Sequence, residues 1–200
     1  MSVALTVGGA VIFRITEDMP WIGALFNSVT ARTAGFSTYS LGEFSNAGLL
    51  AMIFLMFVGA SPGSTGGGIK TSTLFALIQG IKTAATNTSG KAFHYSVPHG
   101  VFRKASVIAV MGISVIAVGT FMLCAFEPDI AIRDALFEMT SAFGTVGLTT
   151  GITTGLCTAS KLTSIVMMYI GRLGPLTIAT LWYFTNGDRI KYPDGNIAIG

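Results

Sequence analysis

The run from Ala105 to Phe126, "ASVIAVMGISVIAVGTFMLCAF", carries no charge from end to end. A helix needs roughly 20 such residues to cross a hydrocarbon core of about 30 Å, and this run is long enough. The rest of the chain points the same way. Only 21 of 200 residues are formally charged and the mean hydropathy is +0.68, whereas a soluble domain carries roughly a quarter charged residues. The expected class is an all-α integral membrane protein. A second uncharged stretch runs from Phe44 to Ile69, and a third, Leu162 to Phe184, carries Arg172 alone. The opening "SVALTVGGAVIF" covers only about half a span, with no basic segment before it and no cleavage site after its core. It reads as the tail of a helix and not as a signal peptide, which makes the chain a piece of a longer protein.

The charges have an orientation. Lys82, Lys91, Arg103 and Lys104 lie between Gln79 and Lys104 with no acid, while Glu127, Asp129, Asp134 and Glu138 face Arg133 alone. The positive-inside rule places the first loop in the cytoplasm and the acidic segment outside. The basic loop lacks the arginine clusters and stacking aromatics of a nucleic-acid surface, so no nucleic-acid partner is expected. Cys124 and Cys157 read as plain apolar residues. His94 and His99 are five apart on a polar loop and do not form a metal pair. Met52, Met56, Met167 and Met168 read as packing or lipid-facing residues, and Trp182 and Tyr183 suit the cytoplasmic interface belt.

The sequence repeats. At an offset of 112, Thr33–Gly59 lies over Thr145–Gly171 with eight identities and no gap. Five of them, Ala47/Ala159 through Gly59/Gly171, recur every third residue, as one helix stripe does. Upstream, "ALF" at Ala24 and again at Ala135 matches at 111. Each unit has an apolar span, an acidic outer turn, a short segment (Trp21–Arg32, Ile130–Phe143), a small polar run and a second span. A helix that dips in and returns as irregular backbone is tolerated at membrane depth only where it lines water or protein. This is the order of a pore loop.

The loops "TARTAGFST" and "FGTVGLTT" offer no acid, base or nucleophile, so no enzyme chemistry is expected. They offer carbonyl oxygens, which together can replace the hydration shell of a monovalent cation. Aligning successive carbonyls needs backbone angles that favour glycine, and Gly35 and Gly147 stand at matching places. The short helices would aim their negative C-terminal ends at the same cavity.

"RTAGFST", "TVGLTTG", "GSTGGGIKT" and "GRLGPLT" together resemble the Trk/Ktr/HKT superfamily of potassium transporters, from about Trp21 to Phe184 and across the last two of that family's four repeats. The resemblance implies a third repeat over 1–83, a cytoplasmic linker over 84–104, a fourth repeat over 105–184 and a cytoplasmic tail over 185–200. It implies a selectivity filter of Thr33, Ala34, Gly35 and Phe36 with Thr145, Val146, Gly147 and Leu148, and K+ as the transported ion with no cofactor in this chain. It further implies a homodimer in the bacterial plasma membrane under a cytoplasmic nucleotide-binding regulatory ring. A sodium-conducting relative on the same scaffold is the alternative, and a non-transport membrane scaffold ranks far behind.

The segment Gly59–Ser72, "GASPGSTGGGIKTS", breaks an apolar run with five glycines and a proline. It superficially resembles a nucleotide phosphate loop, but the residue after Gly68 is Ile69 rather than lysine, and a span precedes it instead of a strand. By the 112 register the break starts at the depth of Arg172, read as the middle of its span, where a lone charge costs at least ~3 kcal/mol. The loop's free carbonyls and the guanidinium are therefore expected to meet. The residues assigned to this gate are Ser61, Gly63, Ser64, Thr65, Gly66, Gly67, Gly68, Lys70 and Arg172, a role that agrees with the gating loop of the family's third repeat. The bland readings are a packing role for Arg172 and a snorkelling one for Lys70.

Overall fold

The computed structural model describes residues 1–59, 61–86, 91–92, 95–96, 99–174 and 177. It is helical apart from a two-residue antiparallel pairing at 91–92 and 95–96. The first unit contains α1 (Ser2–Thr16), α2 (Trp21–Thr30) and α3 (Asn46–Phe57), and α4 (Thr71–Thr86) follows the glycine-rich break. The second contains α5 (His99–Phe126), α6 (Ile132–Gly144) and α7 (Thr158–Leu173). From Trp21 at the start of α2 to Ile132 at the start of α6 the offset is 111, and from Asn46 of α3 to Thr158 of α7 it is 112. Both sequence offsets therefore recur in the helices. α1 packs on α2 and α3, α5 packs on α6 and α7, and α3 packs on α6 across the units.

Among the described residues one helix, Gly100–Phe126, is long and apolar enough to cross a membrane, while Ser2–Thr16 and Asn46–Phe57 are apolar but shorter. At 1.5 Å per residue the 12 residues of α3 span about 18 Å, well short of the hydrocarbon core. α5 starts ahead of the uncharged run, at His99, because Arg103 and Lys104 are good helix formers. Residues 84–86 and 99–104, expected in a linker, are helical.

One correction concerns the last span. The hydropathy of Leu162–Phe184 predicts one helix, yet α7 stops at Leu173. Gly174 adopts φ 87° and Pro175 follows, and a proline disfavours helical angles in the residue before it. Arg172 therefore sits in the last turn of α7, exposed in this chain. A cation there complements the negative helix end. Trp182, Tyr183, His94 and the tail 185–200 lie outside the described residues.

The core forms two clusters. One gathers Phe13, Met19, Leu49, Met52 and Met56 with Phe137, Val146 and Leu148 of the second unit, and the other gathers Ile116, Leu123, Met139, Phe143 and Met167. Three of the four methionines singled out are thus packed inside, while Met168 is exposed. Phe57 and Phe143 stack at 6.2 Å between centroids and join α3 to α6.

Each acidic turn has a specific task. The Ser45 N–H donates to both Glu17 carboxylate oxygens at 3.2 Å, and the Cys157 N–H donates to Glu127 Oε1 at 2.6 Å. Ser45 and Cys157 are the N-caps of α3 and α7, so a carboxylate meets a helix N-terminus in both units. The Cys157 backbone bond holds the Glu127 carboxyl below its ordinary range. Its contribution is therefore present above the ordinary carboxylate range and is lost as pH falls through the lowered value. Cys124 and Cys157 are both free thiols.

Candidate functional site

The two polar loops adopt matching backbones. Thr33 and Gly35 have φ 75° and 80°, and Thr145 and Gly147 have φ 51° and 92°. A left-handed threonine costs about 1–3 kcal/mol, so surrounding bonds must hold it. In the first loop the Ala34 and Gly35 N–H groups both donate to the Thr30 carbonyl, at 3.1 and 3.2 Å. In the second, Thr145 N–H reaches the Ala142 carbonyl and Val146 N–H reaches the Ser141 carbonyl, both at 3.0 Å. The loops also touch. A Cβ on Gly35 would overlap the Val146 carbonyl oxygen, whereas one on Gly147 would meet open space.

Two residues that sequence reasoning missed hold the loop exits. Thr30 Oγ1 donates to the Phe36 carbonyl at 2.5 Å, and Ser141 Oγ donates to the Leu148 carbonyl at 2.6 Å. Thr30 and Ser141 are 111 apart, so the "ALF" register marks them as equivalent hydroxyls. The Phe36 and Leu148 carbonyls turn toward the short helices instead of lying free for a ligand. The Phe36 side chain is 71% exposed while Leu148 is buried, so the loops differ in how they are backed.

A further correction concerns Glu138. Its place in the sequence groups it with the outer acids, but it is buried on α6, and its carboxylate accepts bonds from Thr149, Thr150 and Thr153 of the loop. The carboxylate beside the loop is thus inside the protein and not on an exposed turn. Linear proximity to Asp134 is misleading, because Glu138 lies one turn further along α6, where the loop folds back over it.

The glycine-rich segment lies directly against these loops. The Ile69 N–H donates to the Phe57 carbonyl at 3.0 Å and Val58 pairs with Ile69, so the chain leaves α3 and returns beside it. Gly67 N–H donates to Thr145 Oγ1 at 2.9 Å. A Cβ on Gly67 would lie 2.8 Å from the Phe143 carbonyl oxygen and 3.0 Å from that of Gly144, and one on Gly59 would come within 3.5 Å of Thr33 Cγ2. The glycines are there because backbone packs on backbone.

Three consecutive carbonyls of this segment are held by cationic side chains. Lys70 Nζ donates to the Ser64 carbonyl at 3.1 Å and the Gly66 carbonyl at 2.7 Å, and Arg172 donates to the Thr65 carbonyl between them. The expected meeting of Arg172 with the loop is present in the geometry. Lys70 folds back onto the loop instead of reaching outward. Gly63, with φ 83° and no neighbour within reach of a Cβ, forms the exposed tip, and Ser61 Oγ pairs with Ser2 Oγ at 3.1 Å. Gly68, at φ 74°, passes the Phe57 carbonyl so closely that a Cβ would lie 2.9 Å from it.

Against known proteins, the model of the TrkH family, described as cation transport protein, matches residues 2–189. The chain belongs to the TrkH family. It is 35% identical to the Ktr system potassium uptake protein B of Bacillus subtilis, over 92% of this chain and 41% of that protein. The Vibrio alginolyticus protein of the same name is 37% identical, over 93% and 41% respectively. The potassium/sodium uptake protein NtpJ of Enterococcus hirae is 35% identical over 98% of this chain and 48% of its own length. The chain thus spans about two fifths to half the length of these relatives. The crystal structure of the potassium transporter TrkH from Vibrio parahaemolyticus superposes with a TM-score of 0.72 at 21% identity, covering 92% of this chain and 42% of that one, and so shares the fold. TrkH family members are membrane cation transport proteins and not enzymes, and the superfamily read from the four motifs is the one these comparisons identify.

Proposed function

We propose that this chain supplies two adjoining pore-loop units, the last two of four, to a potassium uptake protein of the plasma membrane. The two loops form half of the ring of carbonyls that selects the ion. The observation that carries this reading is the paired left-handed backbone at Thr33/Gly35 and Thr145/Gly147, in loops that meet at the Val146 carbonyl. The names of the Bacillus and Vibrio relatives as potassium uptake proteins support K+ as the ion. Because the Phe36 and Leu148 carbonyls are bonded to hydroxyls, the groups left for the ion are those of Thr33–Gly35 and Thr145–Gly147. The first unit occupies 1–83, the linker 84–104, the second unit 105–184 and the tail 185–200, with linker and tail in the cytoplasm. Homodimerisation and a nucleotide-binding regulatory ring enter this reading from the family resemblance, and the naming of two relatives as Ktr system proteins supports a further component. The test is K+ and Na+ flux of the full-length protein in vesicles. Selective, saturable K+ flux supports the reading, and a protein that conducts neither ion overturns it.

A second reading has its own observation. The Enterococcus relative is named a potassium/sodium uptake protein, so the same scaffold could serve sodium here. Comparable K+ and Na+ fluxes in that assay would favour it.

The segment Ser61–Lys70, with Arg172, is the gate in this proposal. It rests against Gly144 and Thr145, where an ion leaving the loops would pass. Gly67→Ala should lift it, because its Cβ meets fixed backbone carbonyls at 2.8 and 3.0 Å. Resting K+ flux is expected to rise several-fold. Gly63→Ala, strained at φ 83° but facing open space, should change flux far less. Equal effects would mean that contact with the α6 terminus does not set the barrier.

A further inference from the structure

The short helix of each unit carries a buried polar side chain at an equivalent place, Asn27 in α2 and Glu138 in α6, matched by the 111 offset of "ALF". The two behave differently. Asn27 Nδ2 donates back to the Gly23 carbonyl at 3.0 Å and to Met19 Sδ at 3.4 Å, and its Oδ1 has no partner. It makes no hydrogen bond to its own loop. Glu138 Oε1 accepts from the Thr149 hydroxyl and from the Thr150 N–H at 3.1 Å, while Oε2 accepts from the Thr153 hydroxyl at 3.0 Å. The Thr149 and Thr153 hydroxyl oxygens lie 2.8 Å apart around the carboxylate, and Gly151 N–H donates to Thr149 Oγ1 at 2.9 Å. A single carboxylate thereby gathers residues 149–153 into one bonded group.

This group begins where the Ser141 anchor ends. Ser141 and Glu138 lie three apart on α6, hence on one helix face, and they bind the consecutive residues Leu148 and Thr149. Both line a cleft of about 360 Å³ together with Thr145, Val146, Gly147 and Leu148. Hydrogen bonds to an ionised acceptor are roughly twice as strong as neutral ones. Gly147 has φ 92° and open space around it, so nothing local stops its carbonyl from turning except what clamps the strand on either side.

We propose that Glu138 is a specificity-determining positioning residue: by clamping Thr149, Thr150 and Thr153 it fixes the Val146 and Gly147 carbonyls, and with them the preference for K+ over Na+. The inference rests on the filter reading above. It makes the two units unequal, the second clamped by a carboxylate and the first held at that point, among the described residues, by the Thr30 hydroxyl. Carbonyls that cannot close in keep a ring sized for the larger ion, and carbonyls free to turn inward accept the smaller one.

The experiment compares K+ and Na+ flux, normalised to inserted protein, for the full-length wild type and for Glu138→Ala, Glu138→Gln and Thr153→Val. Glu138→Ala should lower the K+/Na+ ratio by roughly three- to tenfold, the scale of one lost net hydrogen bond. Glu138→Gln keeps the length and one acceptor and should fall between. Thr153→Val keeps the charge but removes one of the three clamped donors, and should shift the ratio in the same direction by less. A ratio unchanged in Glu138→Ala overturns the proposal. So does an equal fall of both fluxes, which would mark a purely structural role. A deficit in Glu138→Gln as large as that of Glu138→Ala, with Thr153→Val at wild type, overturns it in favour of a through-space charge effect. Gly35→Ala and Gly147→Ala serve as controls in the same assay. If they too leave the ratio unchanged, the filter assignment fails and not the clamp alone.

Discussion

Gly35→Ala in the full-length protein should reduce the K+/Na+ flux ratio by roughly tenfold or more, whereas Gly147→Ala should reduce it only a few-fold. The backbone penalty is similar in both, since φ is 80° at Gly35 and 92° at Gly147. A side chain held at such angles costs about 1–3 kcal/mol. What separates the two is the neighbour. A Cβ on Gly35 overlaps the Val146 carbonyl oxygen, which is itself one of the proposed ion ligands, while one on Gly147 meets nothing. Val146 cannot retreat cheaply, because its N–H is bonded to the Ser141 carbonyl at 3.0 Å and its side chain is buried in the core. The first substitution thus displaces carbonyls of both loops, and the second strains one. Flux in reconstituted vesicles, K+ against Na+, measures the difference. Equal ratios in both variants and wild type would remove these loops from ion selection. A larger loss at Gly147 would show that backbone strain outweighs contact between the loops.

Much of this arrangement is legible in the residues, and the failures have physical causes. The 112 register locates both loops and the helices α3 and α7, because the same backbone conformation demands the same small residues twice. The one-residue slip at "ALF" already contains the equivalence of Thr30 with Ser141 and of Asn27 with Glu138. Those residues were missed because hydroxyl and carboxyl groups on a short helix look like solvent-facing positions until the loop folds back over them. The end of α7 was missed although Gly174 and Pro175 are in plain sight, since hydropathy continues through Phe184 and outweighed the proline. Orientation of the loop carbonyls is not written in composition at all. It depends on which donors reach them, and that is a tertiary fact.

Arg172→Ala should raise resting K+ flux about three- to tenfold. Its guanidinium donates to the Thr65 carbonyl, in the middle of a segment whose flanking carbonyls, Ser64 and Gly66, are held by Lys70 at 3.1 and 2.7 Å. A hydrogen bond from a charged donor contributes about 1.5–3 kcal/mol when enclosed. Arg172 is exposed in this chain, and exposed ionic contacts contribute less, which holds the expectation to the lower decade. Lys70→Ala acts on the same segment from its own end, so the double variant should raise flux by less than the product of the single effects. Groups that share one held element are non-additive. In a protein lacking Gly63–Gly68 the carbonyl partners are gone, and Arg172→Ala should then add almost nothing. Arg172→Lys retains a charge at the negative end of α7 but lacks the planar fork, so it should restore part of the restraint. Flux in reconstituted vesicles is measured for each of these variants and the wild type, with inserted protein counted. If Arg172→Ala raises flux equally with and without the loop, the arginine acts as an independent positive barrier below the filter. If it changes nothing in either background, it only packs α7 against its neighbours, and Lys70 alone restrains the segment.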